Sequence, residues 1–477
     1  MKNYLNIRRL ATKPRNPIRV FMLLLGVLFF IIGLTVTAAQ SSQVDPFASN
    51  NALYPAQKDL PDLFNGYRLS NYRFPAREPN HPTSKLPWRT AIDGEINTKN
   101  ASAYVNSVKT YLEFNHINQL IDQPLTWSPA AAGWYDMPWG GQGTLQKDGT
   151  IDPSSGRESL LGSYSGQRLL PSMYPSANIR SFENKYFQNH SVSYYNDIAA
   201  FQLGKIWNNP FKPDITSLTF PEGSVVIKVE GVTLREDQWS ALRNSPVSYV
   251  YRPRVASLNE CMDNGSCKAE VTPIRFLQLG VKVKDKIASP KTGWVYMAFS
   301  YDSDNPAPTP WDRTIPVGAM WGNDPMLSGL PNGGSGNLQQ TWVNNYWKEK
   351  NNGSNFVTDS LGWGGRLAGP LDLAVRENVI LAKGSSEPVK ALEASACLSC
   401  HSTAQYPMAA NLYPSPNMIF PSEKGKFLLY NPGSSNWRLW FRNLSPTMAF
   451  SSLGGISGFT SADYDLMLTF ALAKATS

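Results

Sequence analysis

Three segments near the middle of the chain constrain the fold more than anything else in it. "GSVVIKVEG" (223–231) sets Val225, Ile227 and Val229 against Val226, Lys228 and Glu230. "FLQLGVKVKD" (276–285) sets Leu277, Leu279, Val281 and Val283 against Gln278, Gly280, Lys282 and Lys284. "GWVYMAFSY" (293–301) is apolar at both sets of positions. Alternation with period two belongs to a strand with one face on a core, and an unbroken apolar run to a strand covered on both faces. The three segments therefore predict a sheet with 293–301 near its centre. The prolines of "DNPAPTP" (304–310) predict its end, because proline donates no ladder hydrogen bond.

Composition fills in the rest. Only 17% of residues are charged, 12% are aromatic, and the 477-residue chain carries 36 prolines and 35 glycines. That mixture suits strands and long loops pinned by aromatic contacts, not a helical bundle. The expected class is mainly β with irregular loops (α+β): an antiparallel sheet core and a C-terminal segment with short helices. The regions are 1–39, 40–215 (aromatic-rich), 216–385 (sheet and long loops, with loop over the sheet in 311–370) and 386–477. Helices are expected at 101–114 and 387–396. A last helix is expected after Thr460 as N-cap, with Asp463 three residues on and a stripe of Tyr464, Met467, Leu468, Ala471 and Leu472.

The net charge of +8 does not mark a nucleic-acid binder. Six basic residues (Lys2, Arg8, Arg9, Lys13, Arg15, Arg19) precede position 20, and without them the chain stands at +2. An apolar run, Val20 to Leu34, and the small residues to Ala39 follow. This is the pattern of an export signal, cleaved near Ala38 or Ala39, or of an uncleaved single-span anchor. Either way the basic flank keeps the N-terminus in the cytoplasm and places the chain from Gln40 on the other side.

The four cysteines form two pairs. Cys261 and Cys267 bracket "CMDNGSC", whose Asp-Asn-Gly centre is a turn signal, and a disulfide between them suits an oxidising compartment. Cys397 and Cys400 lie in "ACLSCHS", a Cys-x-x-Cys-His. Two thiols three residues apart lie along one helical turn and can add to the two vinyl groups of a haem, and the histidine that follows can ligate the iron. A thioredoxin-like pair would want a cytosolic βαβ setting, and a zinc site a second pair at knuckle spacing. Neither context is present, so one covalently attached haem c is expected, held by Cys397, Cys400 and His401.

Residues 396–402 resemble the attachment segment of c-type cytochromes. In small helical members a methionine ligand lies downstream, ahead of a C-terminal helix. Met448 in "SPTMAF" is similar in order and becomes the leading candidate for the sixth iron ligand. Met408, Met418 and Met467 are also downstream, and His81, His116 and His190 are the other histidines. Most such residues are packing or loop residues, and the sixth position can also be open. The order of the three strands followed by Cys-x-x-Cys-His is similar to the cytochrome P460 and cytochrome c′-beta group. That resemblance implies a haem on an antiparallel sheet with one iron face open to small ligands. A lysine is crosslinked to the haem in P460, and Lys228 corresponds to it only by position.

Asp136, Arg157, Glu158 and Asp324 lie in Gly- and Trp-rich loops, where they either line a pocket or serve as structural pairs. The chain has no Gly-x-Ser-x-Gly, Walker, His-Glu-x-x-His or dinucleotide motif. The expected function is periplasmic one-electron transfer, in the periplasm or anchored to the inner membrane facing it, with an unidentified redox partner protein and no nucleic acid. The alternatives are a haem-dependent oxidoreductase or gas-binding protein with an open iron, and a binding or scaffold protein with an accessory haem.

Overall fold

In the computed structural model the chain divides into two units, of which the second, Pro46–Ser477, contains every described residue. The described residues are 46, 74–80, 85–140, 155–177, 179–180, 187–253, 269–350, 356–372, 375–381, 386–390, 396–408, 427–429 and 432–476. The class is mainly β with helices and irregular loops, an α+β arrangement around one antiparallel sheet of eight strands. The strands are β1 (Tyr164–Leu169), β2 (Phe187–Tyr195), β3 (Val225–Val232), β4 (Val247–Pro253), β5 (Ala269–Lys284), β6 (Trp294–Tyr301), β7 (Thr314–Met320) and β8 (Thr341–Val343). Their order is β1-β2-β3-β5-β6-β7-β8. The long β5 pairs with β4 along its first half and with β3 along its second.

The alternation in the sequence becomes two faces. Val226, Lys282, Tyr296 and Met320 stand opposite one another on successive strands, as do Lys228, Gly280 and Ala298. Paired residues share a face, so the lysines, Gly280, Tyr296 and Trp294 line one side, and Ile227, Val281 and Met297 the other. All eight residues of β6 are buried, as a strand apolar on both sides requires.

The prolines of 304–310 do not end the sheet. The Asp302 N–H donates to the Arg313 carbonyl (2.9 Å), making this stretch the loop of a hairpin between β6 and β7. Pro316 is tolerated within β7 because it stands opposite Phe299, at a shift in register.

Helix α1 (Ala101–Phe114) buries Tyr104, Val105, Val108 and Leu112 along one stripe and packs against β7. Helix α2 (Asp197–Ile206) leaves β2 through an Asn196 N-cap, whose side chain accepts from the Ala199 N–H. Farther on, β9 (Val375–Leu381) pairs antiparallel with β10 (Ser386–Lys390) and parallel with β12 (Phe427–Leu429). Strand β10 replaces the first part, 387–390, of the helix expected at 387–396, whose residues 391–395 lie outside the described residues. Pairing outweighs the helix propensity of this segment, and Pro388 falls at a register shift between Glu387 and Val389.

Helix α3 (Cys397–His401) follows, then β11 (Gln405–Tyr406), which pairs with β13 (Thr460–Ser461). The last helix, α4, is Leu466–Ala475. Its N-cap is Asp465, not Thr460: the Asp465 carboxylate accepts from the Leu468 N–H at 2.7 Å. The chain cannot be helical earlier, because Asp463 and Tyr464 both have positive φ (50° and 63°). The Cys261–Cys267 loop falls between β4 and β5, outside the described residues, and so does the apolar segment 20–39. Among the described residues no helix is long and apolar enough to cross a membrane.

Candidate functional site

Helix α3 is one short turn, fixed at its N-terminal end. The Cys397 N–H donates to the Leu367 carbonyl (3.0 Å), and the Ser399 hydroxyl reaches back to accept from the Ala396 N–H (2.8 Å). Leu398 and Ser399 are fully buried. Cys397, Cys400 and His401 are each only partly buried. A helix places residues three and four apart on one side, so the buried pair anchors the turn while both thiols and the imidazole share its other side. Desolvation, with the Asp372 carboxylate adding to it, pushes the Cys397 thiol well above its ordinary value. It is a protonated thiol, unlike the low-pKa thiolate of a disulfide oxidoreductase.

His401 is oriented by one polar contact and one ring. Its Nδ1 lies 3.0 Å from the Tyr464 carbonyl oxygen, and its ring is 4.9 Å from that of Tyr296 on β6, centre to centre. A carbonyl can only accept, so Nδ1 carries the proton and Nε2 keeps its lone pair. Desolvation and the nearby Lys282 ammonium lower the imidazole pKa to about 4, against the weaker opposing pull of the Tyr464 carbonyl. At neutral pH His401 is a neutral imidazole with Nε2 as its donor atom.

The loop that presents this carbonyl is held by buried charge. Lys282 donates to Asp465 (2.8 Å), and Lys284 to Asp463 (2.6 Å). Both lysines lie beside the Trp294 ring, at 4.9 and 5.0 Å from its centre. The indole N–H of Trp294 and the Phe220 backbone N–H, each at 2.7 Å, give Asp463 two more donors. The Tyr195 hydroxyl donates to Asp465 at 3.1 Å. Desolvation lowers the pKa of Lys284, and Asp463 opposes the shift. Two successive non-glycine residues at positive φ cost roughly 1–2 kcal/mol each, and this set of contacts holds them there.

A second cluster lies on the same sheet face. Lys228 pairs with Glu230 and Asp372, both at 2.9 Å. Glu230 also accepts from Asn189 and Gln278, each at 2.6 Å. Desolvation lowers the Lys228 pKa, but the Asp372 and Glu230 carboxylates outweigh it and raise the pKa above its ordinary value. Gly280, between Lys228 and Ala298 on this face, leaves a shallow place: a Cβ built there would meet nothing within 4 Å but Lys228, at 3.8 Å.

Other residues singled out in the sequence lie elsewhere. Met448 is 43% exposed, in a turn closed by its N–H on the Ser445 carbonyl. Met467 packs against the core from α4. His116 sits at positive φ and is exposed, and His190 is buried on the opposite sheet face from Lys228. His81 and Met418 lie outside the described residues. Arg157 donates to the Met137 carbonyl (3.0 Å) and lies 3.6 Å from Asp136. The Glu158 carboxylate caps the backbone N–H groups of Leu160, Leu161 and Ser163, and Asp324 those of Gln339 and Gln340. All four are thus engaged in contacts that hold loops in place. Sequence reasoning missed Lys282, Lys284, Tyr296, Asp463, Tyr464 and Asp465. The available signal was β6, apolar on both sides: a lysine on its neighbour must be buried too, and needs a carboxylate.

The donor set suits a haem c. Two thiols share a side with a neutral imidazole whose Nδ1 is already engaged, which is the arrangement that orients a metal-ligating histidine. Compared with family models, with curated proteins and with solved structures, the chain finds no match.

Proposed function

We propose that the chain is an exported haem c protein of one-electron transfer, in which Cys397 and Cys400 would hold one haem and His401 would ligate its iron. The observation that carries this reading is the His401 Nδ1–Tyr464 carbonyl contact, which leaves Nε2 as the donor atom. The haem, when bound, supplies exchange of a single electron at iron. The chain's own residues do the rest. Leu398 and Ser399 anchor the attachment turn, Tyr464 fixes the imidazole tautomer, and Lys282 and Lys284 hold the loop that carries Tyr464. The partner would be a redox protein, and the basic and apolar N-terminal pattern supports a periplasmic location, free or anchored.

A second reading has its own observation. Met448, the leading sixth-ligand candidate, is 43% exposed rather than buried, which favours an iron open on one face and a gas-binding or oxidoreductase role. The visible spectrum of the reduced protein, with and without carbon monoxide, tests the proposal. A low-spin spectrum indifferent to carbon monoxide is expected for the electron carrier. Ready carbon monoxide binding by a high-spin haem would replace it with the open-site reading.

A further inference from the structure

The Tyr464 carbonyl oxygen is claimed by three donors. His401 Nδ1 lies at 3.0 Å, Lys282 Nζ at 3.0 Å and the Tyr296 hydroxyl at 3.1 Å. A carbonyl oxygen has two lone pairs, so three donors divide its capacity, and one of them is a cation that takes the larger share. Neither competing donor is adventitious: Lys282 is buried and anchored on Asp465, and Tyr296 is buried on β6. The acceptor is fixed as well, with Tyr464 at positive φ.

We infer that Lys282 and Tyr296 are positioning residues that weaken His401 as an iron donor, by drawing on the acceptor its N–H depends on. A strong acceptor behind a ligating histidine pulls on the Nδ1 proton and makes the ring more basic. An acceptor already engaged by an ammonium and a phenol pulls less. The less basic imidazole stabilises oxidised iron less, and the reduction midpoint rises. Polarisation along such a chain of hydrogen bonds needs no movement of the histidine. This inference rests on the haem reading above.

The test is the reduction midpoint of the haem-loaded full chain at fixed pH. Tyr296→Phe removes one donor, keeps a ring beside His401 and changes no charge. Lys282→Met combined with Asp465→Asn removes the second donor together with its counter-charge, and asparagine can still cap α4. The midpoint is expected to fall in each variant and to fall further when all three substitutions are combined. A purely structural role would lower the melting temperature and leave the midpoint in place. A midpoint that holds or rises in Tyr296→Phe, with covalent haem retained, overturns the inference. Absence of covalent haem from the unaltered protein instead removes the reading beneath it.

Discussion

Lys284 and Asp463 are both 0% exposed and 2.6 Å apart, a buried ion pair. Lys284→Met leaves Asp463 buried with only neutral donors and should cost about 3–5 kcal/mol. Adding Asp463→Asn removes the stranded charge and should recover a large part of that loss. Denaturant unfolding of the single and double variants checks this, and a double variant as unstable as the single would contradict the pairing. His190 makes a separate prediction. It is buried, its Nδ1 has no hydrogen-bond partner among the described residues, and desolvation, with the Arg252 charge, lowers its pKa to about 3. Folded His190 therefore stays neutral where the unfolded residue, near 6.5, takes up a proton. Its neutral form contributes stability above pH 6.5 that is lost as pH falls toward about 3. His190→Leu should flatten that slope by up to one proton and, by removing an unpaired polar atom, stabilise the protein by about 1 kcal/mol at neutral pH. Unfolding free energy measured from pH 4 to 8 tests both. At this scale the candidate site at Cys397, Cys400 and His401 was legible because Cys-x-x-Cys-His is a local pattern. The buried lysines were not. Lys282 and Lys284 alternate with apolar residues and read as a solvated side, while the aspartates that cover them lie about 180 residues away in sequence.

Among the elements, β3, β5 and β6 were plain in the sequence because strand alternation is written in adjacent residues. The strand β7 was not, because a proline at a register shift looks the same in sequence as a strand terminator. The start of α4 was misplaced for a similar reason. Thr460-x-x-Asp463 has the form of a cap, but Asp463 is taken by Lys284 and Trp294, and the backbone turns left-handed before the helix begins. Thr460→Ala should therefore change stability by less than about 0.5 kcal/mol. Asp465→Ala should cost several times a lost cap of about 1 kcal/mol, because it also strands Lys282 in the interior. Comparable losses for the two variants would argue that the helix starts where the sequence pattern puts it.

For the molecule as a whole, the C-terminal segment is fastened to the sheet by buried polar contacts. Lys282, Lys284, Trp294 and Tyr195 reach the 463–465 loop. The Cys397–His401 turn, held to that loop through His401 and to the Leu367 carbonyl through the Cys397 N–H, is thus fixed against a sheet whose strands come from both earlier regions, 40–215 and 216–385. No local pattern announces such a union, because its partners are distant in sequence. The central claim remains the covalent haem. Its most direct test is the intact mass, under denaturing conditions, of the full chain produced in cells that export it and attach haem c. The expected mass is that of the polypeptide plus one haem, with the added mass lost when Cys397 and Cys400 are both replaced by alanine. A polypeptide that carries no added haem, or that keeps it without those cysteines, would overturn the haem c assignment.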